Sequence, residues 1–215
     1  MICGPLGAGK TTLVNRLLDA PGGRNLAVVV NDMGEVNVDA ERIASEGGDV
    51  VDLSNGCVCC RLQDDLREQV QSLAETREID AIVVEASGIS EPIPIAQTLT
   101  GATSGEPPAG VSLDTMASVI DAYGFWKAFD EDERLPESAP DPARPLTDVL
   151  VDAIEFCDVL LLNKCDMVPD DVCDDLEAVI RTLQPRATIH RTTYADVETD
   201  AVVHTGLFDY EVGRR

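Results

Sequence analysis

Lysine is nearly missing from this chain of 215 residues: only Lys10, Lys127 and Lys164 occur. Asp and Glu number 40 against 16 Lys and Arg, which gives a formal net charge of −24. Such a surface repels nucleic acid and anionic membrane, and neither is expected as a partner. No apolar run approaches the ~20 residues that a membrane helix needs. The greasiest stretches, such as 158–163, have strand length. The N-terminus has neither the basic region nor the long apolar region of a signal peptide, so a cytoplasmic location is expected. Histidine is scarce too: His190 falls on an apolar strand and His204 in a terminal turn, and neither reads as a ligand. The seven cysteines are odd in number. Without a secretion signal, that speaks against a disulfide framework.

What is present points to a folded domain. Hydrophobic residues make up 44%, which argues against disorder. The length suits one α/β domain over 1–215 with a sizeable core. The acid excess has two readings, a sink for cations or adaptation to molar salt. In the second, a screening length of about 3 Å suppresses self-repulsion. The acids run along the whole chain rather than in one block, which favours the halophilic reading.

Apolar, β-rich runs alternate with helical periodicity. The runs predict strands at 26–30, 50–53, 79–84, 115–120, 158–162 and 187–191. A spacing of 3.6 residues predicts helices at 11–19, 63–75 and 170–183, the last opening with acids that suit a helix N-terminus. Strand–helix alternation predicts a doubly wound, mainly parallel sheet with helices on both faces. The stretches 101–110 and 130–145 read as surface loops. Only Met1, Ile2 and Cys3 precede the first motif, so the leading strand is expected to be stunted or to start upstream.

That motif is Gly4-Pro-Leu-Gly7-Ala8-Gly9-Lys10-Thr11-Thr12, a complete G-x-x-x-x-G-K-[ST]. Its glycines let backbone N–H groups turn in around phosphate oxygens. Lys10 supplies positive charge to the β- and γ-phosphates, and Thr11 offers a hydroxyl to Mg2+. The helix that follows points its positive end at the same place. A chance glycine-rich turn is the bland alternative. Ala81–Gly88 reads as a buried strand ending in Glu85, then a flexible turn. A carboxylate there suits the Mg2+ shell, and the Gly88 N–H suits a γ-phosphate contact; an ordinary strand-ending acid is the alternative. Leu160–Asp166 is a strand running into Asn163-Lys164-Cys165-Asp166. A carboxylate at Asp166 can accept two hydrogen bonds from guanine, a pattern that adenine lacks. Asn163 and Lys164 shape the pocket and cover the base. GTP is therefore expected over ATP.

Asn55-Gly56-Cys57-Val58-Cys59-Cys60 is the most distinctive element. Thiolates are soft ligands that suit Zn2+ or Cu+, and three so close leave a tetrahedron incomplete. That suits a transfer site better than a closed structural one. Buried small hydrophobes or a redox pair are the alternatives. Cys157, Cys165 and Cys173 read as packing residues. Asn31–Asp39 follows a strand with acids where a switch segment would lie, or is a solvated acidic loop.

Together these motifs resemble the CobW-like family of P-loop GTPases, relatives of the urease and hydrogenase maturation GTPases. The likeness rests on 4–12, 31–35, 56–60, 85–92 and 163–166, with 191–196 and 206–209 resembling the end of that domain. It implies a GTP-hydrolysing metallochaperone that uses Mg2+, carries zinc or cobalt, and delivers it to a client metalloprotein or a metal-cofactor pathway such as cobalamin biosynthesis. A second copy on nucleotide binding is a further candidate partner. The resemblance assigns Cys57, Cys59 and Cys60 to the transferred metal, with Glu35 a nearby acid able to join it or Mg2+. The family's smaller C-terminal domain and its frequent histidine-rich stretch have no counterpart in the sequence. A metal- and nucleotide-sensing module with negligible turnover is the competing expectation.

Overall fold

The computed structural model describes residues 1–31, 50–52, 59–75, 79–102, 106–130, 135 and 143–209; at 31, 50–52, 59–64 and 129–130 it describes the backbone alone. Among the described residues, seven strands form one sheet: β1 (Ile2–Cys3), β2 (Leu26–Asn31), β3 (Val50–Asp52), β4 (Ala81–Ala86), β5 (Ala117–Asp121), β6 (Val159–Asn163) and β7 (Thr188–Arg191). Among the same residues, six α-helices accompany them: α1 (Lys10–Asp19), α2 (Cys59–Glu75), α3 (Pro92–Thr100), α4 (Phe125–Asp130), α5 (Leu146–Glu155) and α6 (Asp170–Leu183). The strand order is β3-β2-β4-β1-β5-β6-β7, and every described pairing is parallel.

Alternation along the strands explains the two-sided burial. On β6, Val159 and Leu161 face α1 and its residues Leu13, Val14 and Leu17. Leu160 and Leu162 face the opposite way, onto α5 and α6 through Ile154, Leu176 and Ile180. On β2 and β4, Val29 and Val84 pack with α2 and α3 through Leu66, Val70, Ile95 and Leu99. Each such Leu, Ile or Val stabilises the fold by roughly 1.5–3 kcal/mol on burial. Strands covered on both faces must be apolar throughout, and β6 is buried at all five positions. The doubly wound parallel sheet is as expected.

Several boundaries differ from the sequence reading. β1 is two residues long and sits between β4 and β5. β4 runs over Ala81–Ala86 rather than 79–84, because its six-residue register with β2 carries the ladder past Glu85. Glu85 is therefore inside the strand, not its end. α2 begins four residues earlier than its apolar periodicity, at Cys59. β7 has the burial of an edge strand, so His190 is only half-buried there. Helices α3, α4 and α5 lie where no helix was read. The chain order reverses around β1, and a doubly wound sheet binds ligands outside the strand C-termini at that point. Among the described residues, no helix is long and apolar enough to cross a membrane.

Candidate functional site

The loop between β1 and α1 leaves the sheet at that reversal. Gly4, Gly7 and Gly9 have φ of 134°, 72° and 110°. Two of them are also at close approaches. A Cβ on Gly4 would stand 2.1 Å from the Val119 carbonyl oxygen, and one on Gly9 would stand 2.4 Å from Asn163 Nδ2. Only glycine fits both the dihedral angles and the space. Ala8 is fully buried beneath the loop, and its N–H donates to the Pro5 carbonyl at 3.3 Å. Lys10 opens α1, is buried, and its Nζ donates to the Pro5 carbonyl at 3.1 Å. Its ammonium thus folds back over the loop it follows. Thr12 is exposed.

Thr11 donates its hydroxyl to Glu85 Oε1 at 2.8 Å. Glu85 is 6% exposed, so a hydroxyl and a buried carboxylate meet at the base of the glycine loop. Two hard oxygen donors beside a tight glycine loop at a helix N-terminus are the donor chemistry that suits Mg2+ and a nucleotide phosphate. The residues present fit both. Beyond Glu85 the chain turns at Gly88, which lies against the glycine loop itself. A Cβ on Gly88 would be 2.5 Å from the Leu6 backbone nitrogen and 2.7 Å from Leu6 Cγ. The following Ile89 is buried against Leu135 and Val149. Arg144 braces the same turn, with Nη1 2.7 Å from Glu91 Oε1 and Nη2 on Asp152.

Asn163 ties three segments together from the end of β6. Its Nδ2 donates to the Ala8 carbonyl at 2.9 Å. Its Oδ1 accepts from the Thr192 hydroxyl at 3.1 Å and from the Ala195 N–H at 2.8 Å. The asparagine thus links the phosphate loop to the turn after β7, where Tyr194 and Ala195 hold φ of 52° and 53°. Lys164 follows at φ 61°, and a 3-10 turn over Cys165–Met167 presents an exposed Asp166. Lys164 Nζ donates to Asp121 Oδ2 at 2.6 Å. The sequence reading missed Asp121 and the hydrogen bonds from Thr192 and Ala195. A lone aspartate at a strand end carries no signal among 40 acids.

The transition-metal candidates are only partly visible. Glu35 and Cys57 lie outside the described residues, and Cys59 and Cys60 are described as the backbone of the first turn of α2. The chain enters the cysteine segment from the C-terminal end of β3, where Asp52 is in register with Val30 and, through β2, with Glu85. That register brings the C-terminal end of β3 level with Glu85, two strands away in the sheet. Among the described residues, no group of three or more His, Cys, Asp or Glu could hold a metal. Cys157 and Cys173 are buried in the core under α5 and α6, as expected of packing cysteines. Burial pushes the Cys157 thiol up. Burial, then the neighbouring Cys173 thiol, pushes Cys165 up to about 12. Thiols that stay protonated at neutral pH are poor ligands.

Comparison with known proteins agrees with this geometry. Residues 1–191 match the family model described as the CobW/HypB/UreG nucleotide-binding domain. Zinc-regulated GTPase metalloprotein activator 1 of Dictyostelium discoideum is 36% identical over 231 residues, covering 98% of this chain and 49% of the relative. Zinc chaperone CobW of Pseudomonas aeruginosa is 31% identical, covering 87% of this chain and 54% of the relative. The chain spans about half the length of these curated relatives. Among solved structures, Zn(II)-bound YjiA GTPase from E. coli superimposes with a TM-score of 0.67 at 24% identity, over 97% of this chain and 61% of that one. HypB from Helicobacter pylori in complex with nickel gives 0.58 at 16% identity, over 91% of this chain and 78% of that one, and both likenesses speak to fold. With a family match that runs from residue 1 to the end of β7, the chain belongs to the CobW/HypB/UreG family of nucleotide-binding domains.

Proposed function

We propose that the chain binds GTP with Mg2+, hydrolyses it to GDP and phosphate, and uses the cycle to gate a transition metal. The observation that carries the nucleotide half is the Thr11–Glu85 hydrogen bond of 2.8 Å beneath the glycine loop. Thr11 and Glu85 would hold Mg2+, directly and through its water shell. When bound, the ion supplies charge neutralisation on the phosphate oxygens. Lys10 swings from the Pro5 carbonyl to the β- and γ-phosphates, and the N–H groups of Gly7, Ala8 and Gly9 orient them. Water attacks the γ-phosphorus as its bond to the bridging oxygen breaks. The Gly88 N–H senses the γ-phosphate, and its neighbour Leu6 transmits the result to the loop. Asp166 reads guanine, Lys164 covers the base, and Asn163 locks the base turn to the phosphate loop.

The metal half rests on the sequence and on kinship. Cys57, Cys59 and Cys60 supply thiolates, with Glu35 as a further oxygen ligand. β3, which precedes the cysteine segment in the chain, ends level with Glu85, which supports coupling between the two sites. The curated relatives named above are a zinc chaperone and a zinc-regulated activator, which favours zinc over cobalt as cargo and a client metalloprotein as the recipient. The direct test is phosphate release from GTP and from ATP, each with and without Mg2+. Lys10→Ala serves as the control. Mg2+-dependent release from GTP alone, lost in the variant, supports the reading. Equal use of ATP, or an unaffected variant, removes it.

A further inference from the structure

Asp121, the partner of Lys164 in an ion pair, has no part in the phosphate, magnesium or guanine contacts assigned above. Asp121 closes β5 directly across from Asn163, which closes β6. Its two oxygens are divided. Oδ1 accepts the Tyr123 N–H at 2.9 Å, which fixes the carboxylate, and Oδ2 takes the Lys164 ammonium at 2.6 Å. Gly124 leaves room for this, since a Cβ there would stand 3.1 Å from Asp121 Oδ2. The lysine and aspartate side chains are 30% and 22% exposed, so the pair is partly withdrawn from solvent screening. Lys164 holds φ 61°, a region that non-glycine residues enter only when other contacts hold them. It is also the residue from which the turn bearing Asp166 departs.

We propose that Asp121 is a positioning residue for guanine recognition. It pins the Lys164 side chain across the ends of β5 and β6, where its stem covers the base and its backbone starts the Asp166 turn. The inference rests on the GTP reading and deepens it. Without the carboxylate the ammonium is free to swing into solvent, and both the cover over the base and the start of the turn loosen. The effect falls on nucleotide affinity rather than on turnover, because Lys164 serves the base and Lys10 the phosphates.

The test is titration of the full chain with a fluorescent GDP, for wild type, D121N, K164M and the double variant. Asn keeps an acceptor for Tyr123 and loses only the charge. D121N should weaken GDP binding about tenfold, the scale of a charge-assisted hydrogen bond. kcat at saturating GTP should stay within about twofold. In the K164M background D121N should add less than about twofold, because it acts through that lysine. Gly124→Ala crowds the Asp121 carboxylate without removing it; it should give the same kind of loss, and it carries the test if D121N does not fold. Wild-type affinity in D121N, or losses that multiply in the double variant, overturns the inference and leaves the GTP reading standing. A wild-type chain that binds no guanine nucleotide overturns both.

Discussion

Thr11 donates its hydroxyl to Glu85 at 2.8 Å, across 74 residues of sequence, and so joins the first turn of α1 to the interior of β4. The pair is the hinge of the magnesium assignment. Glu85→Gln keeps the shape and an acceptor for Thr11 but removes the charge. It should raise the Mg2+ concentration for half-maximal hydrolysis roughly 10- to 100-fold, as loss of an outer-shell carboxylate does. Thr11→Val should do at least as much. A magnesium titration of phosphate release reads both, and a Glu85→Gln curve that overlays the wild type removes Glu85 from the site.

Gly88 has no room for a side chain against Leu6. Gly88→Ala must therefore displace either its own turn or the glycine loop. The γ-phosphate contact should go first, so a non-hydrolysable GTP analogue should bind about tenfold more weakly, the scale of one charge-assisted hydrogen bond. GDP, which lacks that phosphate, should change by less than about threefold. Parallel losses for the two nucleotides would mean that Gly88 only supports the loop.

In the proposed reading, Asp166 selects the base. Asp166→Asn replaces a two-fold acceptor by a group that also donates, which opposes guanine and matches xanthine. GTP affinity should fall by about a hundredfold or more, with xanthosine triphosphate gaining in its place. Competition between the two nucleotides for one labelled ligand measures the exchange, and an unchanged preference for GTP contradicts the assignment.

How far the sequence anticipates these features depends on what signals each one. The glycine loop and Asn163–Asp166 are legible because their chemistry fixes residue type and spacing together. Helix α6 is legible at both ends, Asp170 and Leu183, since acids mark its start and a regular apolar stripe its length. Helix α3 is not: Pro92-Ile-Pro-Ile-Ala packs apolar residues on several sides of the helix and carries two prolines in its first turn. Helix α5 follows a proline-rich acidic stretch that dominates the local pattern. The end of β4 is misjudged at Val84, because an apolar run reports burial while the ladder is set by pairing with β2, which continues through Glu85 to Ala86. Asp121 is invisible without the fold, as its meaning comes from the Lys164 ammonium 2.6 Å away.

The charge of −24 makes salt a variable of stability. Surface ion pairs such as Arg16–Asp196 weaken as salt rises, but each is worth little. Repulsion among 40 acids against 16 bases weakens too, and its relief outweighs the loss of the pairs. The melting temperature should therefore rise by about 10 °C or more between low salt and about 2 M KCl. A flat profile would contradict the halophilic reading and favour the acids as a cation sink.

The proposed metal cycle requires that nucleotide state and metal affinity be coupled. Thiols at Cys57, Cys59 and Cys60 must lose their protons to bind as thiolates, so metal uptake should release protons and strengthen with pH. If the segment bearing Glu35 responds to the γ-phosphate, metal affinity must differ between nucleotide states, and by reciprocity the metal must alter GTP affinity by the same factor. The deciding experiment is anaerobic competition for Zn2+ against a chromophoric chelator, with the chain loaded with a GTP analogue or with GDP, and Cys59→Ser as the control. Zn2+ should bind more tightly with the GTP analogue, by about fivefold or more, and Cys59→Ser should lose that site. Equal affinity in the two states would leave the cysteines uncoupled from the nucleotide and contradict a GTP-gated metal cycle.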